Sequence, residues 1–386
     1  MRKIDFDNMV WTMLDAADGI SDLIFTVGKP LQVESFGRLM PVMGELGIRE
    51  LTPFQLEHIA LHLVGGSRRL LGDFFRSGSC DTSYALSEDV RFRVNVFRQR
   101  GHFAIVMRKL QMTIPTIDGL DLPRICHRIA NEKNGLVLVT GATGSGKTTT
   151  LAAVLGEINS SQPVHIVTLE DPIEFVHPHR EATFSQREMG IDFEDYPTGI
   201  RAALRQAPKV ILVGEIRDRD TIEAALTAAE TGHLVLSTLH TIDAGQSINR
   251  MLGMYEESEQ ENVRVRLADT LRYVMSQRLA PRIGGGRKLI PEILANNLRT
   301  RELIEQGRRE DITFHDIIDD NVQNGWVSFD RSVINAYEAD EISEETAMLF
   351  CTRKGIVRRQ LDIVNKVRSG SLDKESGLRM DTSSKV

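Results

Sequence analysis

A glycine-rich stretch near the middle of the chain constrains the fold more than any other feature. Residues 141–148 read G-A-T-G-S-G-K-T and match the pattern G-x-x-x-x-G-K-[ST]. The apolar run 136–139 before this stretch predicts a strand, and the pattern of 151–158 after it predicts a helix. A strand before and a helix after are the context that a phosphate-binding loop requires. The sequence therefore predicts an α/β fold in which this loop joins a strand of the sheet to a helix.

The glycine-rich loop also predicts a site for ATP. Glycines allow successive backbone N–H groups to point inward, and together with the helix N-terminus they form a cradle for phosphate oxygens. Lys147 is then placed to neutralise the β- and γ-phosphates, and the Thr148 hydroxyl to bind Mg²⁺. The loop does not read G-x-G-x-x-G, which argues against a hydride-transfer enzyme. The residues predicted to bind ATP here are Gly141, Ala142, Thr143, Gly144, Ser145, Gly146, Lys147, Thr148 and Thr149.

The remaining chain predicts further segments on both sides of this loop. Strand-like runs alternate with helical patterns from 136 to 238, which predicts a sheet flanked by helices. Short strand-like runs and a helix capped by Thr52 predict a separate α/β domain before residue 110. Three glycines at 284–286 predict a β-hairpin turn rather than a second anion site. The predicted parts are an N-terminal domain at 1–110, a linker at 111–123, an ATPase domain at 124–295, a C-terminal helical part at 296–368 and a disordered tail at 369–386.

Composition argues against several classes of function. The 386 residues carry a net charge of −7, so no general attraction to nucleic acid is expected. The three cysteines are far apart and form no C-x-x-C pair, which argues against a zinc or redox site. No run of about 18 apolar residues occurs, and the first residues do not resemble a signal peptide. We therefore expect a cytoplasmic protein without direct membrane insertion.

Two segments supply the carboxylates that ATP hydrolysis needs beside a phosphate cradle. One carboxylate must lie near Mg²⁺, and another group must activate or orient the attacking water. Glu215 follows the apolar run 210–213, where P-loop proteins place their metal-site carboxylate, although many families have aspartate there. A second acidic segment supplies Glu170, Asp171 and Glu174.

These segments, with a third one, resemble the sequence motifs of the secretion ATPases, and in particular those of PilT/PilU-type pilus motors. Residues 167–175 are similar to the Asp box of that family, residues 210–215 to its Walker B motif and residues 227–241 to its His box. The resemblance covers about residues 5–365. It implies a PAS-like α/β domain at the N-terminus, followed by a RecA-like P-loop ATPase domain with C-terminal helices.

The resemblance assigns roles to the four carboxylates. It implies that Glu174 activates the attacking water and that Glu215 holds Mg²⁺ through a water molecule. Glu170 and Asp171 are similar to supporting members of the same acidic cluster. A solvated strand end is the alternative interpretation of these residues.

Histidines form a further group of candidates. His233 and His240 stand seven residues apart around an apolar run, so we predict that they mark the two ends of one strand and do not bind one metal ion together. The resemblance implies a γ-phosphate sensor for His240 and a place in the nucleotide site for His233. A hydrogen-bonded structural group is the alternative for each. His177 and His179 lack a third ligand at a suitable spacing, so no metal is expected there.

Arginines can stabilise the charge that develops on the γ-phosphoryl oxygens, including arginines from a neighbouring subunit. The resemblance implies a homohexamer in which the N-terminal domain of one subunit packs on the ATPase domain of the next. Arginines on the N-terminal strand would then reach a neighbour's ATP, and a solvated strand face is the alternative. The candidates are Arg91, Arg93 and Arg98 on that strand and Arg205 and Arg217 on either side of the run 210–213.

As a whole, the resemblance implies an ATPase motor for type IV pilus retraction. Such a motor would lie at the cytoplasmic side of the inner membrane, at the pilus base, and act on a PilC-like platform protein. The paired C-x-x-C motifs and the longer N-terminal region of assembly-type relatives do not occur here, which favours the retraction group.

Several alternatives to an independent retraction motor remain. Residues 295–304 read A-N-N-L-R-T-R-E-L-I, where PilT-type motors carry A-I-R-N-L-I, and this departure favours a PilU-like accessory role beside a paralogous retraction ATPase. Ala142, where Gly-Pro-Thr is the family pattern, adds weak support to that role. A RecA-like nucleic-acid motor and a nucleotide-binding regulator without turnover are the alternatives from other classes.

Overall fold

The structure of the chain is a computed structural model, and it describes residues 2–42, 48–87, 90–110, 113–307 and 312–368. Its internal contacts form two compact units. The first comprises the described residues of Met1–Pro115 and Asn159–Pro208, and the second those of Thr116–Ile158 and Lys209–Val386. The domain boundaries drawn from the sequence stay predictions. The predicted tail at 369–386 and linker residues 111 and 112 lie outside the described residues.

Helices and strands occur along the whole described chain. The strands are β1 (Ile20–Thr26), β2 (Gln32–Ser35), β3 (Arg38–Pro41), β4 (Ser79–Ala85), β5 (Arg91–Gln99), β6 (His102–Lys109), β7 (Gly135–Thr140), β8 (His165–Glu170), β9 (Thr183–Glu188), β10 (Val210–Val213), β11 (Leu234–Leu239), β12 (Leu271–Pro281) and β13 (Arg287–Ala295). The helices are α1 (Lys3–Leu14), α2 (Pro53–Val64), α3 (Arg68–Ser77), α4 (Ile125–Ala130), α5 (Lys147–Ser161), α6 (Tyr196–Ala203), α7 (Arg219–Glu230), α8 (Ala244–Leu252), α9 (Glu257–Thr270), α10 (Leu298–Gln306), α11 (Phe314–Asp319), α12 (Phe329–Glu338), α13 (Glu344–Phe350) and α14 (Lys354–Arg368).

The first unit contains a six-stranded antiparallel sheet in the order β3-β2-β1-β6-β5-β4. Along β5 the apolar side chains Phe92, Val94 and Val96 are buried and alternate with polar neighbours, because successive side chains of a strand point to opposite faces. Helix α2 begins as predicted: Thr52 Oγ1 accepts from the Gln55 backbone N–H, and Gln55 Oε1 accepts from the Thr52 N–H. The same unit contains β8 and β9, which pair in parallel so that Glu170 lies opposite Glu188.

The second unit contains the strand order β13-β12-β7-β11-β10. Strands β12, β7, β11 and β10 are parallel, and β13 returns antiparallel to β12 through the glycine turn at 284–286, which is the predicted hairpin. Every residue of β7, β10 and β11 is buried, as expected for parallel strands covered on both faces. The sheet therefore positions its strand ends rigidly.

The C-terminal part of the second unit is helical, as predicted. Helix α13 begins after Ser343, whose side chain accepts from the Thr346 backbone N–H. Residues of α12, α13 and α14 form a core of their own with β12 and β13, through side chains such as Phe329, Val333 and Val357. Within the described ranges, no helix combines the length and the hydropathy that crossing a lipid bilayer requires.

Candidate functional site

The glycine-rich loop lies between β7 and α5, as the sequence predicts. Gly141 has a φ of +142°, and a Cβ added there would lie 2.5 Å from the Gln277 carbonyl oxygen and 2.6 Å from Ser145 Oγ. Gly144 and Gly146 also have positive φ angles of +79° and +89°. This backbone is strained for residues with a side chain, so the glycines determine the shape of the loop.

Lys147 lies at the first position of α5 and is buried, with 8 % of its surface exposed. Its Nζ donates to the carbonyl oxygens of Gly141 (2.9 Å) and Ala142 (3.1 Å), so the ammonium lies across the loop. The Ser145 hydroxyl is buried, and within the described structure it has no hydrogen-bond partner. An ammonium, an unpartnered hydroxyl and the N-terminus of a 15-residue helix together form an environment suited to an anion.

Strand β12 anchors this loop from a distant part of the sequence. Thr140 Oγ1 donates to Ser276 Oγ (2.9 Å), and Gln277 Nε2 donates to Thr150 Oγ1 (2.7 Å). All four side chains are buried. Sequence analysis did not identify Ser276 or Gln277, since only the parallel pairing of β12 with β7 brings them to the loop.

A second cluster of candidate residues surrounds Glu215, two positions after the end of β10. Its Oε1 pairs with Arg217 Nη2, and its Oε2 lies 3.5 Å from His240 Nε2, at the end of β11. Glu215 Oε2 is buried and accepts no hydrogen bond in the described structure. The structure thus brings Glu215, Arg217 and His240 together.

Hydrogen bonds to β11 fix the backbone around Glu215. The Thr238 hydroxyl donates to the Gly214 carbonyl oxygen (2.7 Å), and the Ile216 N–H donates to the Thr238 carbonyl oxygen (3.1 Å). These bonds hold the residues on both sides of Glu215. The carboxylate is therefore attached to the end of the sheet rather than to a free loop.

His233 lies at the opposite end of β11 from His240. Its Nδ1 donates to the Ala228 carbonyl oxygen at the C-terminus of α7 (2.9 Å). Six strand residues separate the two histidines, which corresponds to roughly 20 Å of extended chain. The two histidines mark the ends of one strand, as predicted. A place for His233 in the nucleotide site stays a prediction and would need a neighbouring subunit.

Glu170 ends β8 in the first unit, and its side chain is buried. Its Oε1 accepts from Thr168 Oγ1 (2.7 Å) and from Gln186 Nε2 (3.2 Å), and the Glu174 backbone N–H also donates to its carboxyl group. Burial raises the pKa of Glu170 to about 7, and the three hydrogen bonds oppose that shift. Glu170 and Glu174 therefore belong to one cluster, in which the Glu170 side chain supports the backbone of Glu174.

Two side chains of β9 hold the segment around Glu174, and sequence analysis missed both. Gln186 Nε2 donates to the Phe175 carbonyl oxygen (2.8 Å), and Gln186 Oε1 accepts from the His177 N–H (2.8 Å). Glu188 Oε2 accepts from the Ile173 N–H (3.3 Å). The Glu174 side chain is partly exposed within this frame.

Asp171 and the histidines of the acidic segment occupy different environments. Asp171 is exposed and precedes a cis peptide bond to Pro172. His177 is buried and stacks on Phe184 with ring centroids 4.5 Å apart, and burial lowers its pKa to about 4. His179 Nδ1 accepts from the Phe184 N–H (3.2 Å). Among the described residues, no group of three or more His, Cys, Asp or Glu side chains is arranged to hold a metal ion.

Of the three candidate arginines of β5, Arg93 and Arg98 are exposed, whereas Arg91 is mostly buried and pairs with Glu188. Arg93 is 46 % exposed and lies 4.0 Å from Asp81, and Arg98 is exposed with its guanidinium 5.1 Å from the Phe74 ring centroid. Weak pairs of this kind in water contribute little to stability, so both side chains are available to another molecule.

Arg205 and Arg217 differ in their surroundings, although they lie close in sequence. Arg205 follows α6, and its Nη1 donates to the Arg201 carbonyl oxygen (3.1 Å). Arg217 is 71 % exposed but pairs with Glu215 of its own chain. The structure thus places Arg217 beside a candidate carboxylate of its own unit.

Comparisons with known proteins identify the family to which the chain is similar. The family described as Type II/IV secretion system protein matches residues 82–317. The chain is 34 % identical over 346 residues to the type IV pilus ATPase PilU of Pseudomonas aeruginosa, covering 89 % of this chain and 88 % of that one. It is 39 % identical over 298 residues to the type IV pilus retraction ATPase PilT of the same organism, covering 76 % and 83 %. The solved structure of the pilus retraction motor PilT with bound ADP superimposes with a TM-score of 0.80 at 36 % identity, covering 92 % of this chain and 98 % of that one.

Proposed function

This chain belongs to the Type II/IV secretion system protein family, and from that premise we propose that it is a homohexameric ATPase motor that powers retraction of type IV pili. The observation that carries the proposal is the phosphate loop with the buried Lys147 at the start of α5. The similarity to PilT and PilU, which covers 76 % and 89 % of this chain, supports retraction rather than assembly of the pilus.

ATP would bind with its phosphates in the loop at 141–149. Backbone N–H groups of the loop and the ammonium of Lys147 would hold the β- and γ-phosphates, because the carbonyl oxygens that Lys147 contacts here are weaker partners than phosphate anions. The Thr148 hydroxyl and the Glu215 carboxylate would hold Mg²⁺, which supplies positive charge beside the phosphates. Both are oxygen ligands of the kind that Mg²⁺ prefers, and Glu215 Oε2 is a buried oxygen without a hydrogen bond.

Glu174 would act as the general base. Its carboxylate takes a proton from the attacking water while the new P–O bond forms at the γ-phosphorus and the bond to the β-phosphate oxygen breaks, which yields ADP and phosphate. Glu170 and Asp171 support this segment, and His240 senses the γ-phosphate from the end of β11. Nucleotide in the ring, either of the same subunit or of a neighbouring one, is contacted by Arg93, Arg98, Arg205, Arg217 and His233.

The proposed partner is a PilC-like platform protein at the cytoplasmic side of the inner membrane. A second candidate function is an accessory PilU-like motor that works beside a paralogous retraction ATPase. The departure from the PilT-type pattern at residues 295–304 favours it, and the 34 % identity to PilU over 346 residues is consistent with it.

Deletion and complementation test the proposal. The host strain is complemented with the wild-type chain or with Lys147→Ala, and retraction force and surface pilin are measured. We expect loss of retraction and excess surface pilin in the deletion strain, with recovery only by the wild-type chain. Reduced force with retained retraction would indicate the accessory function. Unchanged pili in the deletion strain, or full recovery by Lys147→Ala, would contradict both.

A further inference from the structure

Glu188, the last residue of β9, is a buried carboxylate that the proposed chemistry does not use. Only 3 % of its surface is exposed. Its Oε1 accepts from Ser83 Oγ (2.6 Å), and its Oε2 accepts from Arg91 Nη2 (2.8 Å) and from the Ile173 N–H (3.3 Å). Arg91 Nη2 also donates to Ser83 Oγ (3.0 Å), so the three side chains form one network.

The donors around Glu188 come from two different parts of the first unit. Ser83 lies on β4 and Arg91 on β5, and these two strands pair in the N-terminal sheet. Ser83 lies opposite Arg93, and Arg91 lies opposite Ala85. Ile173 lies between the end of β8 and Glu174. A buried carboxylate is costly unless it is fully hydrogen-bonded and paired. Burial of Glu188 is therefore favourable only when both the N-terminal sheet and the segment at Ile173 supply their hydrogen bonds to it.

The Ile173 bond is one of three that attach the segment 173–177 to β9. The other two come from Gln186, which contacts the backbone of Phe175 and His177. Within the described residues, the side-chain hydrogen bonds of Gln186 go to Glu170, Phe175 and His177, whereas Glu188 continues directly to Arg91 and Ser83. Of these two β9 side chains, Glu188 is thus the one that connects the sheet to the residue next to Glu174.

We propose that Glu188 is a positioning residue, through which Arg91 and Ser83 of the N-terminal sheet set the position of the Glu174 carboxylate. This proposal rests on the proposed function, since it takes Glu174 as the base for ATP hydrolysis. It implies that a shift of β4 and β5 changes kcat and leaves the affinity for nucleotide unchanged. Arg91 then acts within its own chain, in contrast to the role in a neighbour's site that sequence analysis considered.

Steady-state kinetics of Glu188→Gln and Arg91→Gln test this proposal. Misplacement of a catalytic group by about 1 Å costs up to about 100-fold in rate, so we expect kcat to fall roughly 10- to 100-fold in each variant. KM for Mg-ATP and the Kd of a fluorescent ADP analogue should stay near the wild-type values. The double variant should be no slower than the slower single variant, because both changes break the same link. Arg91→Lys, which keeps a positive donor, should recover part of kcat.

Arg108→Ala is the matched control. Arg108 pairs with the buried Asp22 at the same 2.8 Å, also within the N-terminal sheet, but this pair does not reach the segment 173–177. Its loss should leave kcat unchanged. Equal kcat values in the wild type, Glu188→Gln and Arg91→Gln would overturn the proposal, and so would equal losses in Arg108→Ala.

Hydrogen exchange separates failure of this proposal from failure of the proposed function. Amide exchange of residues 173–177 should be faster in Arg91→Gln than in Arg108→Ala, and this readout requires no turnover. If the wild type releases no phosphate from Mg-ATP, the proposed function fails, and the exchange rates alone decide whether Arg91 holds the segment. If turnover is normal in the wild type and exchange is the same in both variants, the link through Glu188 is wrong. Should Arg91→Gln not fold, Arg91→Lys and Glu188→Gln provide the same comparison.

Discussion

The phosphate loop and the acidic segment at 170–177 differ in how their structure is determined. The conformation of the loop depends mainly on its own residues, since its three glycines have positive φ angles and Lys147 contacts carbonyl groups five and six residues before it. Strand β12 adds hydrogen bonds on either side of the loop, to Thr140 and Thr150. The acidic segment is held by Gln186 and Glu188 of a later strand and, through Glu188, by Arg91 of a much earlier one. We therefore expect one substitution in the loop to abolish ATP turnover. Single substitutions in the network that holds the acidic segment should each lower turnover by a smaller amount.

The largest effect is expected for Lys147→Ala, which tests the local half of the comparison. Loss of the ammonium removes charge stabilisation at the phosphates, so phosphate release should fall roughly a thousandfold and binding of a fluorescent ATP analogue should weaken. Lys209→Ala, which changes an exposed lysine of the same unit, is the control. Hydrolysis at the wild-type rate by Lys147→Ala would mean that the loop is not the site of turnover.

Glu174→Gln should have the next largest effect. The amide cannot accept a proton, so turnover should fall by at least about 100-fold while Mg-ATP binding is kept. Binding and phosphate release are measured on the same preparation, with the exposed Glu181→Gln as control. If Glu174→Gln retains full turnover, another group activates the water, and the acidic segment loses its catalytic role.

Gln186→Ala tests whether the network weakens in steps. It removes the bonds to Phe175 and His177 and one bond to Glu170, but leaves the Glu174 side chain and the Glu188 bond in place. We expect kcat to fall about tenfold, less than in Glu174→Gln, with KM unchanged. Gln99→Ala, at the exposed end of β5, is the control. A loss as large as that of Glu174→Gln would show that this single residue, and not a network, positions the base.

Most of the fold could be predicted wherever the signal lies within adjacent residues. The run 210–213 is β10, the run 136–139 lies within β7, and the caps at Thr52 and Ser343 begin α2 and α13. In each case an apolar run or a capping side chain stands next to the element that it determines. The α/β class and the place of the phosphate loop follow from such signals.

Strand β9 shows what could not be predicted. It reads T-F-S-Q-R-E, and only Phe184 and Glu188 are buried in it, so no apolar alternation marks it as a strand. Its importance comes from pairing with β8 and from polar side chains that hydrogen-bond to distant backbone groups. Likewise Ser276 and Gln277 reach the phosphate loop only through the pairing of β12 with β7. Contacts of this kind depend on the sheet order, for which adjacent residues carry no signal.

Glu170→Gln is expected to change activity least, and it tests the acidic segment through stability. The pKa of Glu170 is about 7 in the folded chain, above its ordinary value of 4.5, and burial is the main cause. At a pH between these two pKa values, Glu170 is ionised in the unfolded chain but still protonated in the folded chain. The contribution of Glu170 to the free energy of unfolding therefore falls as the pH rises through this range. Glutamine cannot ionise, and its side-chain oxygen can still accept from Thr168.

The pH dependence of the difference between Glu170→Gln and the wild type is therefore the measurement. Relative to the wild type, the variant should gain on the order of 2–3 kcal/mol in the free energy of unfolding between pH 5 and pH 8, which follows from the shift in pKa. The melting temperature of the nucleotide-free chain is measured across this range, with Glu181→Gln as the exposed control. A difference that does not vary with pH would mean that Glu170 is ionised in the folded chain. The carboxylate would then be a charged member of the acidic segment, and its hydrogen bonds from Thr168, Gln186 and Glu174 would outweigh the cost of burial.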